Sequence, residues 1–283
     1  MISIVIPAHD EERVIGRCLS GLASGAEPGE LEIVVVANGC TDGTAAAART
    51  FPGVRVVETP VAGKAAALNL GDEHATSSPR LYVDADVELG IDAVRAIRDT
   101  LDRGDVLAAA PRAELKLDGR PWTVRAYYQL WTTMMGMRGR EVCAGVYAMS
   151  KDGRSRFGTF PDAIADDLFV RQVFTPGEWA TIASQRAVVH PPRTLRSLIR
   201  VRTRVMAGNA QMKQARPASA QPVEGSRLLR MVARTPRMWP AAVVYGVVYT
   251  AARARAEWKL RRGGVLTWER DDTAREAAEG TVV

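Results

Sequence analysis

The sequence predicts an α/β fold, a mostly parallel central sheet flanked by helices, with a basic helical extension at its C-terminal end. Three observations predict it. Short apolar runs alternate with helical stretches of about 10–15 residues over roughly the first 110 positions, the pattern of right-handed βαβ units. Those runs lack polar alternation, as expected of strands covered on both faces. The charge is also divided: residues 1–185 carry 19 Lys+Arg against 25 Asp+Glu, residues 186–262 carry 17 against 2, and the last 21 carry 2 against 5.

Each element has its own signal. Residues 2–6 form an apolar run stopped by Pro7, a buried strand. Val14, Ile15, Cys18, Leu19 and Leu22 then recur at helical spacing, with Gly25 and Pro28-Gly29 as the stop. Residues 31–36 (LEIVVV) are a second strand, broken by Asn38-Gly39 and Asp42-Gly43, and an alanine-rich helix runs to about Arg49. A strand at 54–57, a helix at 63–75, a strand at 80–83, a helix at 90–102 and a strand at 106–110 follow. Next come an aromatic-rich helix at 122–137, an apolar strand at 142–148, a glycine-rich loop to Phe160, a helix at 166–174 and a strand at 187–190. Beyond Pro191-Pro192 lie an arginine-spaced helix, a loop at 217–225 and an amphipathic stretch at 228–262.

Composition narrows the class. The chain of 283 residues is 47% hydrophobic and 25% charged, ordinary for a soluble globular protein. Cys18, Cys40 and Cys143 form no ligand-spaced pair, so a disulfide framework or zinc cluster is not expected and a reducing cytosol fits. The start MISIVIPAHDEE does not read as a signal peptide. The longest uncharged stretch, 238–252, would reach about 22 Å as a helix against a hydrocarbon core of about 30 Å, so no transmembrane span is expected.

In open α/β sheets, ligands bind beyond the carboxyl ends of the strands. Polar clusters stand there: His9-Asp10-Glu11 after the first strand, residues 38–42 after the second, Asp84-Ala85-Asp86 after the fourth. No G-x-G-x-x-G follows the first strand and no phosphate-binding G-x-x-x-x-G-K-[ST] exists, which removes the main support for dinucleotide and P-loop readings. Carboxylates at three strand ends suit a hard divalent cation, Mg²⁺ or Mn²⁺, holding a diphosphate.

Five segments carry a resemblance. Residues 6–12 (IPAHDEE) look like the P-x-x-N-E opening of glycosyltransferase family 2, and VANGCTDGT at 36–44 is similar to its V-D-D-G-S-T-D-G-T. Gly63-Lys64 with Leu68-Asn69 matches its G-K-x-x-A-L-N, and Asp84-Ala85-Asp86 its metal-binding D-x-D. Ala165-Asp166-Asp167-Leu168 with Arg171 resembles its E-D-x-x-L-x-x-R region, which carries the catalytic base. The resemblance implies a GT-A fold and an inverting, metal-dependent transfer from a nucleoside-diphosphate sugar. The expected divisions are a nucleotide-sugar-binding α/β half at 1–110, an acceptor-binding and catalytic-base half at 111–200, and a basic amphipathic helical extension at 201–283.

Residue chemistry assigns the parts. Pro7, Ala8, His9, Glu11 and Asn38 line the strand-end crevice for the nucleoside, and Lys64, near a helix N-terminus, can face the diphosphate as a compact cation. By resemblance Asp84 and Ala85 also face the donor, Asp86 ligates the metal, and His190 stands where several GT-A enzymes place a further ligand. Inversion needs a carboxylate to take the acceptor's proton; Asp167 is the candidate and Asp166 the second, although paired carboxylates at a helix start also favour the helix dipole. Arg193 and Arg196 share a helical face with Arg200 and Arg204, either a clamp for the diphosphate or a solvated charged face. The chain departs from the pattern at Ala37-Asn38, where aspartates are usual, and at Asp166, which replaces glutamate. The Q-x-x-R-W of processive members survives only as Val201-Arg202-Thr203-Arg204-Val205, which favours single transfer over polymer extrusion.

The expected donor is thus a UDP, GDP or dTDP sugar, and the acceptor a lipid-linked saccharide or small molecule. Aromatic runs between arginine clusters at 227–262 suit a helix lying on an anionic membrane at the inner face of the cell membrane, or alternatively a core or homodimer helix. The other classes weighed are a sugar-phosphate nucleotidyltransferase, which normally opens on a glycine-rich loop absent here, and a basic nucleic-acid-binding protein, for which no recognition module is evident.

Overall fold

The computed structural model describes residues 1–137, 145–162, 165–215 and 225–261. Cys143, the start of the strand expected at 142–148, most of the 217–225 loop and the acidic tail around Trp268 lie outside the described residues. The described chain forms two compact units, one of residues 1–115 with 145–190, the other of 116–137 with 191–215 and 225–261.

The first unit holds one eight-stranded sheet. In chain order it comprises β1 (Ile2–Ala8), α1 (Glu12–Ala23), β2 (Leu31–Asn38), α2 (Thr44–Arg49), β3 (Val54–Thr59) and α3 (Lys64–His74). Then come β4 (Arg80–Val83), β5 (Glu88–Leu89), α4 (Ile91–Asp102) and β6 (Ala108–Leu115). The second unit contributes α5 (Trp122–Met137) before the chain returns with β7 (Val146–Met149), α6 (Lys151–Arg154), α7 (Asp166–Val173) and β8 (Trp179–Val189). The sheet order is β3-β2-β1-β4-β7-β6-β8-β5, with only β7 and β5 opposed to the other strands.

The apolar runs become the buried strands as expected. Ile2, Ile4 and Ile6 face one side with Ile15, Leu19 and Leu22 of α1, while Val34 and Val36 pack with Ala67 of α3. Pro7 does not stop β1, contrary to the sequence reading. The amide of Ile2 donates to Glu30 beside β2 and that of Ser3 to Pro79 beside β4, so amides of odd-numbered residues face β4. Pairing with β4 ends at Val5↔Tyr82, so Pro7 lies where no ladder donor is needed.

Three strands lie differently from their sequence signals, the first being β8, which was expected at 187–190 but runs over Trp179–Val189 because its outer residues are held by pairing with β6 and not by an apolar run of their own. β6 was expected at 106–110 but continues to Leu115, because Arg112 and Glu114 are exposed and break the apolar run while the backbone stays paired to β8. The irregularity needed to carry Pro111 falls between Pro111 and Arg112. β5, two residues long, is too short to show any period. α3 lies tightly on β1: a Cβ at Gly71 would sit 2.3 Å from Val5 Cγ1, so glycine there lets the helix that begins with Lys64 approach the strands.

In the second unit, α5 packs with α8 (Leu195–Ala215), α9 (Gly225–Arg234) and α10 (Trp239–Arg261). Leu130, Met134 and Ala241 form its core with Met231, Val232 and Tyr245 against them. Tyr127 stacks on Tyr245 at 5.2 Å, and the Arg202 guanidinium lies 5.8 and 5.7 Å from the Tyr127 and Trp131 rings. The amphipathic stretch expected as one run from 228 is two helices, because Pro236 begins a separate short turn at Pro236–Met238.

Candidate active site

Four strand ends and two helix starts build the site. Fully buried Asn38 ends β2; its Nδ2 donates to the Ala8 carbonyl at 2.8 Å and its Oδ1 accepts from the Gly63 amide at 3.0 Å. His9 Nδ1 lies 2.6 Å from the Asn38 carbonyl oxygen. One amide therefore ties the ends of β1 and β2 to the start of α3. An aspartate could not donate to Ala8, which gives the departure at Asn38 a structural reason. Next to it, Asp10, at φ 51°, accepts from the Thr41 and Asp42 amides, and the Glu11 amide donates to Thr44 Oγ1 at 2.7 Å.

Lys64 is the centre of charge. Its Nζ lies 2.6 Å from Asp84 Oδ1 and 2.8 Å from Asp166 Oδ1, joining the D-x-D turn to the start of α7. Asp166 is buried, and the Tyr147 hydroxyl donates to its second oxygen at 2.8 Å. Asp167, the next residue, is exposed, and its Oδ1 accepts its neighbour Leu168's amide at 2.7 Å. Although its surface is open, the surrounding protein mass and the charge of Asp166 push the Asp167 carboxyl upward, against the pull of Lys64. The two adjacent aspartates therefore have separate environments, one locked in an ion pair and one facing solvent.

Several residues that sequence reasoning gave no role hold this arrangement. Asn69 Nδ2 donates to the Phe160 carbonyl at 3.0 Å and its Oδ1 accepts from the Phe160 amide at 2.7 Å, pinning the segment ahead of α7. Half-buried Asp72 accepts from Arg80, Tyr82 and Arg154, and Arg154 donates on to the Phe157 and Gly158 carbonyls. Tyr82 stacks on Tyr147 at 5.1 Å, and Phe157 meets Phe169 of α7 edge-on at 5.0 Å. Tyr147 had one usable signal: a tyrosine inside an apolar strand needs a partner for its hydroxyl.

The other expected residues are placed as follows. His190 Nε2 bonds Glu88 Oε1, which also pairs with Arg17 Nε at 2.8 Å, and Asp86 and His190 do not close into a three-ligand group among the described residues. The group that does gather is Asp10, Cys40 and Asp42, but its carboxylates are engaged by the Thr41, Asp42 and Thr44 amides, so they cap a turn. Pro7, Ala8, Glu11 and Ala85 are buried. Arg193 and Arg196 belong to the second unit.

Residues 3–150, just over half of the chain, match the family model described as "Glycosyl transferase family 2". The chain belongs to glycosyl transferase family 2. Glycosyltransferase AglE of Haloferax volcanii is 25% identical over 75% of this chain and 73% of its own. Among solved structures, a mannosyltransferase of Pyrobaculum calidifontis in complex with GDP-Man and Mn²⁺ shares 21% identity, covers 91% of this chain and 87% of its own, and has a TM-score of 0.65. Glucosyl-3-phosphoglycerate synthase of Mycobacterium tuberculosis, in complex with Mn²⁺, UDP-glucose and phosphoglyceric acid, shares 20%, covers 74% and 78%, and has a TM-score of 0.54. The fold is the GT-A fold, and this family 2 protein is a glycosyltransferase, which sets aside the nucleotidyltransferase and nucleic-acid-binding alternatives.

The donor set of the Asp84-Ala85-Asp86 turn suits a divalent cation. Asp84 and Asp86 offer hard oxygen donors from one strand end. Gly145, at φ +72°, accepts the Asp84 amide at 2.8 Å, and a Cβ there would fall 2.5 Å from Asp84 Oδ2, so glycine keeps that carboxylate's cradle open. The Asp84 carboxyl is pushed up to about 6, first by burial; Lys64 pulls it down, while Asp166 and Asp86 push it up. Crowded negative charge of this kind is what a cation relieves.

That shift has a measurable consequence in metal-free protein. A folded carboxyl that binds its proton more tightly than in the unfolded chain stabilises the fold when protonated, so stability falls as pH rises from about 4 to about 6. Asp84→Asn is expected to remove that part of the slope, read by urea unfolding across this range in chelator. An unchanged slope would eliminate Asp84 as its source.

Proposed function

We propose that the protein is an inverting glycosyltransferase that moves a sugar from a nucleoside-diphosphate donor to a lipid-linked saccharide or small-molecule acceptor, with Mg²⁺ or Mn²⁺ at the D-x-D turn. One observation carries this reading: Lys64 bridges Asp84 of the D-x-D turn and Asp166 of α7, so the exposed Asp167 stands next to the donor machinery. The nucleotide sugars and Mn²⁺ bound in the two neighbouring structures support the donor class.

In this reading half-buried His9 just past the end of β1 faces the nucleoside, the buried Pro7, Ala8, Glu11 and Asn38 hold the strand ends beneath it, and Asp84 faces the ribose. Asp86, with Asp84 beside it, would hold the cation, which would supply positive charge against the negative charge building on the leaving diphosphate; His190, bonded to Glu88, would have to exchange that partner to join them. Lys64 adds a fixed positive charge at the start of α3. Asp167 takes the proton of the acceptor hydroxyl as that oxygen attacks the anomeric carbon. The bond to the diphosphate oxygen breaks on the opposite face and its electron pair departs with the nucleoside diphosphate, inverting the centre.

The test is a panel of UDP, GDP and dTDP sugars with Mn²⁺ and Mg²⁺, read by thermal unfolding. A donor at about 100 times its Kd is expected to stabilise the protein by roughly 2.7 kcal/mol, a rise of about 5–10 °C. Asp86→Ala is expected to lose the metal-dependent part of that rise. No shift with any donor in Mn²⁺ would overturn the reading.

A further inference from the structure

α10 of the second unit has two largely apolar sides and, among the described residues, only one of them is covered. Ala241, Val248, Ala252 and Ala256 are buried. At about 100° per residue, Trp239, Val243, Val247, Ala254 and Trp258 project from the opposite side. There Trp239 is 55%, Val243 66%, Val247 53% and Trp258 53% exposed. A helix with one face on a core and the other in water carries polar residues on the wet face. Here that face is a mostly apolar stripe, interrupted by Thr250 and by Glu257 and ended by Arg261, with an indole towards each end, about 28 Å apart along the axis.

The stripe is framed by cations. Arg234 and Arg237 precede it and Arg255 and Arg261 flank its far end, all exposed. They belong to the segment 186–262, which carries 17 Lys+Arg against 2 Asp+Glu. We infer that α10 lies on an anionic lipid bilayer, its valine and tryptophan stripe in the interface and its arginines on the headgroup phosphates. Tryptophan favours that boundary because its ring is apolar and its N–H is not, and each arginine near an anionic surface adds attraction.

Charge decides against a second copy of this chain as the occupant. An isologous pairing would bring two such segments face to face, and like charges at that separation repel. No helix among the described residues is long and apolar enough to cross a membrane, so the helix lies on the bilayer. Binding needs neither donor nor acceptor, which makes this inference independent of the proposed transfer reaction.

The test uses the full chain with phosphatidylglycerol–phosphatidylcholine vesicles and with pure phosphatidylcholine vesicles, read by sedimentation and tryptophan emission. The expected result is binding to the anionic vesicles with a blue shift, reversed by high salt. Val243→Asp with Val247→Asp is expected to weaken it by at least about tenfold. Arg234→Gln with Arg237→Gln is expected to weaken it by about fivefold per charge removed. All four positions are exposed, so thermal unfolding should be unchanged and serves as the folding control. Equal binding to neutral vesicles would overturn the role of charge. No vesicle binding would overturn the inference. So would a concentration-dependent dimer that the valine substitutions dissolve while vesicles remain unbound, since the occupant would then be a second copy.

Discussion

Asp167→Asn is expected to lower turnover by about 10²–10⁴-fold while donor binding, read by thermal stabilisation, stays as in the parent protein. That range is what a positioned general base contributes to a proton transfer. Asparagine matches aspartate in shape and can still accept from the Leu168 amide, so the local hydrogen bond survives. What it loses is the ability to take a proton. The upward push on the Asp167 carboxyl, from the protein mass crowded around it and from the charge of Asp166, makes it a better base than an ordinary aspartate, and its open surface leaves it accessible to an acceptor. Asp166→Asn provides the contrast. Asp166 is spoken for by Lys64 and by the Tyr147 hydroxyl, so its loss should appear first as lower stability. Full turnover in Asp167→Asn would remove that residue from the base role and transfer the assignment to its neighbour.

Lys64→Met should cost about 3 kcal/mol of stability and lower the melting temperature by roughly 6–12 °C. Methionine keeps the length and most of the volume but removes the charge, leaving the Asp84 and Asp166 carboxylates without the cation that separates them. Breaking a buried pair by removing one partner is costly because the remaining charge stays desolvated. Asp166 carries most of this, since Asp84 is partly exposed and water screens it. Adding Asp166→Asn to Lys64→Met should restore part of the loss, because one of the stranded charges disappears. Chemical unfolding of the two single variants and the double variant completes the cycle. A Lys64→Met protein as stable as the parent would mean that the bridge contributes nothing to the fold.

Most of the donor half was legible because each of its signals is local. A short apolar run without alternation, bounded by turn residues, reads as a strand covered on both sides, and β4 at Arg80–Val83 lies where that rule puts it. The helices α3 and α5 were readable in the same way, by period and by glycine or aromatic content. The chemistry was legible where residue type and position coincide: Asp84 and Asp86 just past an apolar strand, Lys64 at a helix start, Asp166 and Asp167 at another. Pro7 misled because a local rule treats proline as a stop, whereas the cost of proline depends on which neighbour its missing amide would have faced. The extent of β6 was hidden for the same reason, since its outer half is held by pairing with β8 and not by its own apolar content.

The sequence by itself determined the fold class, the order of the elements and the family, because periodicity and short motifs are carried by neighbours along the chain. Only the tertiary structure decided what the charged groups do with one another. Asp166 and Asp167 are adjacent and chemically identical, yet Lys64, about a hundred positions away, and Tyr147 bury one of them in a bonded cluster and leave the other at the surface. Asn38 could have faced a ligand, but the ends of β1 and α3 use its amide. The apolar side of α10 left in the open became visible only once its other side was packed. The physical reason is common to all three. Burial and electrostatic partnership depend on distance in space, and the pattern along a chain carries none of that for residues far apart in it.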